Sequence, residues 1–123
     1  MHSFPGAIDT RNILAVCRIG DSLDRALLRE MLGYFIDENK RRLSQSTDAV
    51  QGGNRDTLRQ LAHAIRGSAA LIGAGRLHDI AWALEMDAAR GDFLALRQAV
   101  EAMRAELDAV VDAIHRAHPE AWE

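Results

Sequence analysis

The sequence lacks several features that would define a class of protein. Only one of its 123 residues is a cysteine, Cys17, so no internal disulfide can form and no cysteine-based metal site is available. No run approaches the roughly 18 consecutive apolar residues of a membrane-spanning helix. The first residues also lack the charged leader and apolar run of a secretory signal. We therefore expect a cytoplasmic protein with no membrane insertion.

Missing features also argue against two functional classes, nucleic-acid-binding proteins and kinases. The formal net charge of −3 provides no overall attraction to nucleic acid, so we expect no nucleic-acid partner. The stretch GAGRLH at residues 73–78 contains glycines but follows a predicted helix, and it lacks the lysine and hydroxyl of a phosphate-binding loop. The chain is therefore not expected to phosphorylate itself from ATP.

Proline is scarce as well, and its positions favour helices. Pro5 and Pro119 are the only two, both near the ends, which leaves the chain between them free to be helical. Runs of β-branched residues and hairpin turn pairs are missing, whereas alanine and leucine dominate. The sequence predicts an all-α fold in a single domain over residues 1–123, with residues 1–8 flexible.

Apolar periodicity predicts one short helix and four long ones. Their expected bounds are Asp9 to Arg18, Leu23 to Val50, Arg55 to Ile72, Arg76 to Arg90, and Phe93 onward. Asp21 or Ser22 is the expected cap of the second helix, and Asp92 that of the last. The glycines at residues 52, 53, 73, 75 and 91 separate the long helices.

The four long helices are expected to form an up-down-up-down four-helix bundle, with the short N-terminal helix covering one end. Short connections make consecutive helices antiparallel neighbours. The last helix carries an apolar seam with alternating spacings of three and four: Phe93, Leu96, Val100, Met103, Leu107, Val110 and Ile114. A four-helix core can bury this seam within one chain, so we expect a monomer.

The histidine at residue 63 lies opposite the apolar face of its predicted helix. At about 100° per residue, that face is centred on Ile65, and His63 falls at about 160° from it. The side chains that share or flank its side are Arg59, Gln60, Arg66, Gly67, Ala70 and Ala74. Glycine costs about 1 kcal/mol relative to alanine inside a helix, so Gly67 needs a reason. The small residues leave room for something to approach an exposed imidazole.

A histidine followed by a basic residue and glycine begins a longer pattern here. HAIRGS at residues 63–68 is followed by AALIGA, by Leu77 and by ALE ending at Glu85. The likeness extends to ARGD at residues 89–92 and, more loosely, to GDSLDRALLREMLGYFIDE at residues 20–38. This pattern resembles the histidine-containing phosphotransfer (HPt) domain of multistep two-component signalling. The main departure is Arg66 where lysine is commoner, which preserves the positive charge.

The resemblance implies a phosphorelay intermediate. His63 would accept a phosphoryl group from the phospho-aspartate of one response-regulator receiver domain and pass it to the aspartate of another, through Nε2. Arg66 would stabilise phosphoryl charge, and Gly67 would let the receiver's loops reach the ring. The partners implied are receiver domains and a hybrid sensor histidine kinase. The receiver would supply Mg²⁺, so the chain needs no cofactor.

The neighbours of His63 have weaker assignments. Gln60 either donates a hydrogen bond that fixes the imidazole tautomer or is solvated. Arg59, Ala70 and Ala74 are assigned to the docking surface. Glu85 is interpreted as structural.

Two other functions remain open from the sequence. A helical adaptor could dock receivers or kinases without being phosphorylated. Asp112, His115 and His118, at three-residue spacing, are a weak metal-ligand pattern near a helix end. We expect no metal site there.

Overall fold

The computed structural model describes residues 4–122, and most of this part of the chain is helical. Five α-helices are present in it: α1 (Arg11–Val16), α2 (Arg25–Gln51), α3 (Arg55–Leu71), α4 (Gly75–Asp87) and α5 (Phe93–Ala117). A short 3₁₀ helix, Pro119–Ala121, follows α5. The predicted helical class is confirmed. None of the helices in the described range is long and apolar enough to cross a membrane.

The start of α2 differs from the prediction. Asp24, rather than Asp21 or Ser22, is the cap, and its carboxylate accepts a hydrogen bond from the backbone N–H of Leu27 at 3.0 Å. The preceding residues form a small antiparallel hairpin that the sequence analysis missed, with strands β1 (Arg18–Ile19) and β2 (Ser22–Leu23). Because residues 18–23 belong to this hairpin, α2 cannot begin directly after Asp21 or Ser22.

Capping fixes the other helix boundaries more nearly as predicted. The carboxylate of Asp92 accepts from the N–H of Ala95 at 2.9 Å, which confirms the predicted start of α5. Asn54 caps α3 in the same manner, through the N–H of Thr57. Gly73 ends the turn after α3 with a φ of +69°, a conformation that glycine adopts without strain. The helices thus begin and end near the residues with the expected turn chemistry.

The long helices pack in a closed circuit, with α2 against α3, α3 against α4, α4 against α5, and α5 against α2. The predicted seam of α5 supplies much of the core: all of its members are buried except Phe93, which is partly buried. On α3 the buried face is Leu58, Ala62, Ile65 and Ala69, as the helical wheel predicts. This circuit is compatible with a four-helix bundle, whose up-down-up-down order remains a prediction.

A buried polar contact joins α2 to α3 close to the histidine. Asn39 is 0% exposed, and its Nδ2 donates both to the carbonyl oxygen of Phe35 and to Oγ of Ser68, each at 2.8 Å. A buried amide without such partners would be costly. The contact therefore fixes how α3 sits against α2, two residues beyond Arg66.

The segment before α1 is held in place rather than free. Residues 1–3 of the predicted flexible segment 1–8 lie outside the described residues. Gly6 is buried, and its N–H donates to Oε2 of Glu106 at 2.8 Å, while the other oxygen of Glu106 pairs with Arg76 at 3.1 Å. Ile8 packs against the core. Gly6 and Ile8 thus contact the folded helices, and the flexibility of residues 1–8 stays a prediction.

Candidate functional site

His63 lies on the exposed surface of α3, as the helical wheel predicts. Its side chain is 60% exposed, whereas Ala62 and Ile65 on the opposite side are buried. Residues 60, 67 and 70 on the same side are exposed as well. Amphipathic packing of α3 against α2 and α4 thus directs the imidazole away from the core.

The imidazole nitrogen Nδ1 lies between an acidic and a basic group. It is 2.9 Å from Oε2 of Glu85 on α4 and 3.1 Å from Nη2 of Arg66 on its own helix. An ionised carboxylate can only accept a hydrogen bond, so the contact with Glu85 requires a proton on Nδ1. The contact with Arg66 as donor requires the opposite, an unprotonated Nδ1. The two hydrogen bonds therefore exclude each other in neutral His63.

The nitrogen Nε2 is the free end of the ring. Among residues 4–122 it has no hydrogen-bond partner, and the side chain is mostly exposed. When Nδ1–H donates to Glu85, Nε2 carries the lone pair of the neutral imidazole. The site can therefore present an unprotonated, outward-facing nitrogen as a nucleophile.

Glu85 is the residue that the sequence analysis undervalued. Its side chain is only 16% exposed and bridges the two functional side chains, with Oε2 near His63 and Oε1 3.2 Å from Nε of Arg66. Oε1 is buried, and its angle to Arg66 does not make a hydrogen bond, so the attraction there is mainly that of opposite charges. The structural interpretation of Glu85 is corrected: it contacts the candidate histidine.

Besides His63 and Glu85, Arg66 has a third neighbour, Trp82 on α4. Its guanidinium carbon lies 5.5 Å from the ring centre of Trp82, within the range of a cation–π contact. The edge of that ring in turn meets His78, at 5.8 Å between ring centres and an interplanar angle of 71°. His78 Nδ1 is paired with Asp79 at 3.0 Å. A row of contacts thus leads along α4 to the guanidinium.

Gly67 opens the surface beside His63. A Cβ built at residue 67 would meet nothing within 4 Å outside its own helix turn. No close contact inside the molecule explains the missing side chain.

A family model described as Hpt domain matches residues 30–113, which is more than half of the chain. The chain belongs to the Hpt domain family. Hpt domains act in phosphotransfer within two-component phosphorelays, where they interact with receiver domains and kinases. His63, Arg66, Gly67 and Glu85 all lie inside the matched range. No curated protein and no solved structure matches the chain.

Three other residues that the sequence assigned to the candidate site have different surroundings. Nε2 of Gln60 donates to Asp56 at 2.9 Å rather than to the imidazole, and Arg59 pairs with the other oxygen of Asp56 at 3.0 Å. Gln60 therefore does not fix the tautomer of His63 in this structure. Ala74 is 0% exposed, so its assignment to the docking surface is wrong. The helical wheel was extended past Leu71, where α3 ends.

An apolar depression of about 540 Å³ lies between α1, α2 and α3, and we call it the α1–α3 groove. The apolar side chains that line it are Ile13, Val16, Met31, Tyr34, Phe35, Leu71 and Ile72. Val16, Tyr34 and Leu71 are exposed. Leu71 lies one helical turn beyond Gly67, so the groove continues the open surface beside His63.

The histidines near the end of α5 are engaged in local contacts. His118 is buried, with Nε2 2.8 Å from Oγ1 of Thr10 and Nδ1 3.3 Å from Glu120. The ring of His115 lies against Trp122. Within residues 4–122, no group of three or more His, Cys, Asp or Glu side chains is arranged to hold a metal ion.

Proposed function

We propose that His63 is the phospho-accepting residue of this Hpt domain. It takes a phosphoryl group from the phospho-aspartate of one receiver domain and passes it to the aspartate of another. The observation that carries this proposal is the orientation of the imidazole: Nδ1 faces Glu85, and Nε2 has no partner among the described residues. Only one nitrogen is thus available to a partner.

The transfer moves one phosphoryl group between two partners. The lone pair of Nε2 forms a bond to phosphorus while the bond from phosphorus to the aspartyl oxygen of the receiver breaks, and that oxygen leaves as a carboxylate. Positive charge develops on the imidazole as Nε2 is substituted. The Nδ1 proton, shared with Glu85 at 2.9 Å, spreads this charge onto a carboxylate. The return step reverses these changes toward the second receiver.

Arg66 supplies the positive charge for the transferred group. Phosphoryl transfer depends mostly on positioning and on charge stabilisation. The guanidinium lies 3.1 Å from Nδ1 of the imidazole, and we propose that the side chain turns toward a phosphoryl group on Nε2 when one arrives. The magnesium ion of the reaction is expected on the receiver, and this chain needs no metal of its own.

The receiver is proposed to dock over Gly67 and Ala70 and to extend into the α1–α3 groove. Contiguous exposed apolar surface on a small domain typically marks a site of protein interaction. Val16, Tyr34 and Leu71 form such a surface beside the histidine. Arg59 lies on the other side of His63, where it remains a candidate for contact with acidic groups. A hybrid sensor histidine kinase is the proposed source of the phosphoryl group.

We further propose the up-down-up-down order for α2 to α5. The circuit of helix contacts and the short connection between α3 and α4 support it. The protein is proposed to act as a monomer, because the seam of α5 is already buried within one chain.

The test is transfer of radiolabelled phosphoryl from a panel of phosphorylated receiver domains to the wild type, to His63→Gln and to His78→Gln. His78 is a matched control, because it also lies on the surface beside a carboxylate. We expect acid-labile, alkali-stable label on the wild type and on His78→Gln, and none on His63→Gln. Label retained by His63→Gln would refute the proposal. A His63→Gln variant that still supports signalling would favour the adaptor function.

A further inference from the structure

The guanidinium of Arg66 has neighbours on three sides before any phosphoryl group arrives. His63 lies at 3.1 Å, Glu85 at 3.2 Å, and the ring of Trp82 covers the guanidinium at 5.5 Å. The first two contacts belong to the reactive pair already described. The third comes from a large side chain that is 48% exposed and has no part in the transfer itself.

We propose that Trp82 is a positioning residue, whose indole face keeps the Arg66 guanidinium beside His63 for the arriving phosphoryl group. This inference rests on the proposed function, because it concerns the residue that would stabilise the transferred group. Trp82 touches neither the phosphoryl group nor the imidazole and acts through Arg66.

The geometry explains why an aromatic ring is needed at this place. Glu85 attracts the guanidinium through one oxygen without a hydrogen bond, so this contact fixes the orientation of the guanidinium less firmly than a hydrogen bond would. Arginine has many rotamers, and holding it in one costs entropy. A flat ring beside the guanidinium removes the rotamers that point away from His63. The ring is itself held by the edge contact with His78.

The kinetic test uses phosphoramidate as a small phosphoryl donor, so that no receiver can contact Trp82. Nε2 of His63 bonds to phosphorus, the phosphorus–nitrogen bond of phosphoramidate breaks, and ammonia leaves. We expect Trp82→Ala to slow formation of phosphohistidine about two- to fivefold, as the loss of an exposed cation–π contact would. Trp82→Phe should restore most of the rate, because a ring remains.

Two controls separate positioning from general damage. Met86→Ala removes an exposed apolar side chain from the same helix one turn away and should leave the rate unchanged. In an Arg66→Met background, Trp82→Ala should have no further effect, since the residue that it positions is gone. An equal slowing by Trp82→Ala in that background would overturn the proposal.

A second measurement needs no phosphoryl donor. In the NMR spectrum of the free protein, the side-chain protons of Arg66 should show an upfield ring-current shift that disappears in Trp82→Ala and persists in Trp82→Phe. An unchanged Arg66 spectrum in Trp82→Ala would also overturn the inference. If the wild type forms no phosphohistidine with any donor, the proposed function fails, whereas the NMR result still decides whether Trp82 holds Arg66.

Discussion

Removing the Glu85 carboxylate is expected to change which imidazole nitrogen of His63 carries the proton. Glu85→Ala takes away the acceptor of Nδ1–H, which lies 2.9 Å away in the wild type. A hydrogen bond to a charged group contributes about 1.5–3 kcal/mol, but exposed ion pairs contribute only about 0.2–1 kcal/mol. Because His63 is 60% exposed, we take about 1 kcal/mol for this contact. That corresponds to about a fivefold change in the tautomer ratio.

The tautomer ratio can be measured directly and compared with the transfer rate. The ¹⁵N chemical shifts of the His63 ring report which nitrogen carries the proton, and single-turnover transfer from a phosphorylated receiver reports reactivity. We expect Glu85→Ala to reduce the ratio of the Nδ1–H to the Nε2–H tautomer about fivefold, and to slow transfer by up to that factor. Glu85→Gln should retain the tautomer, because its amide oxygen still accepts from Nδ1–H. It should lose part of the rate, because the negative charge is gone.

The control is Glu101→Ala, which removes an exposed carboxylate paired with Arg104 on α5 and should leave His63 unchanged. Circular dichroism melting curves would show whether each variant folds. Transfer at the wild-type rate by a folded Glu85→Ala protein, with the same tautomer population, would refute the role given to Glu85. A slower rate with an unchanged tautomer would show that Glu85 acts through Arg66 alone.

Three further predictions follow from other contacts. Gly67→Leu should raise thermal stability by up to about 1 kcal/mol, because leucine has the higher helix propensity, and should slow transfer from a receiver. The control is Gly33→Leu, at another helical glycine with open space around it, which should raise stability without slowing transfer. Asn39→Ala should lower the free energy of unfolding by about 1–3 kcal/mol in urea titrations, because its buried partners lose their donor. The Arg11 side chain and, to a smaller extent, its backbone N–H lower the pKa of Asp9 to about 2 through hydrogen bonds. An NMR titration of Arg11→Gln, which keeps the backbone N–H, should therefore find that pKa raised toward its ordinary value. The contact stabilises the fold above about pH 4 and loses this effect as the pH falls toward 2. A wild-type rate in Gly67→Leu, an unchanged urea midpoint in Asn39→Ala, or an unchanged Asp9 titration in Arg11→Gln would each contradict the corresponding argument.

Periodicity along single helices was the part of the sequence that predicted the structure well. The alternating seam of α5 is buried, and the wheel of α3 placed His63 outside the core. These predictions depend only on the geometry of one helix. The start of α2 could not be predicted in this way, because Asp21, Ser22 and Asp24 are all good caps. The hairpin before α2, which depends on tertiary pairing, decides among them.

The contact between His63 and Glu85 needed information about two helices. Residues 63 and 85 lie equally far from Ala74, on either side of the turn between α3 and α4, and so do residues 66 and 82. In an antiparallel pair with equal rise per residue, positions equidistant from the turn lie at the same height. Counting residues in both directions from Ala74 therefore pairs position 63 with Glu85 and position 66 with Trp82, and this signal was present in the sequence. Which of their atoms meet was not predictable from this count.

Gly73 lies in the turn between α3, which carries His63, and α4, which carries Glu85. It also contacts the segment that leads into α1, which forms one wall of the α1–α3 groove. A Cβ at this residue would lie 2.0 Å from the carbonyl oxygen of Asp9, and the N–H of Asp9 donates to the carbonyl of Gly73 at 3.0 Å. The segment leading into α1 therefore packs against the α3–α4 turn. This turn is separated along the chain from both His63 and Glu85. Substitutions in α1 can remodel one wall of the groove while the reactive pair stays intact. Duplicated copies of such a domain can in this way acquire new partners during evolution and inherit the chemistry unchanged.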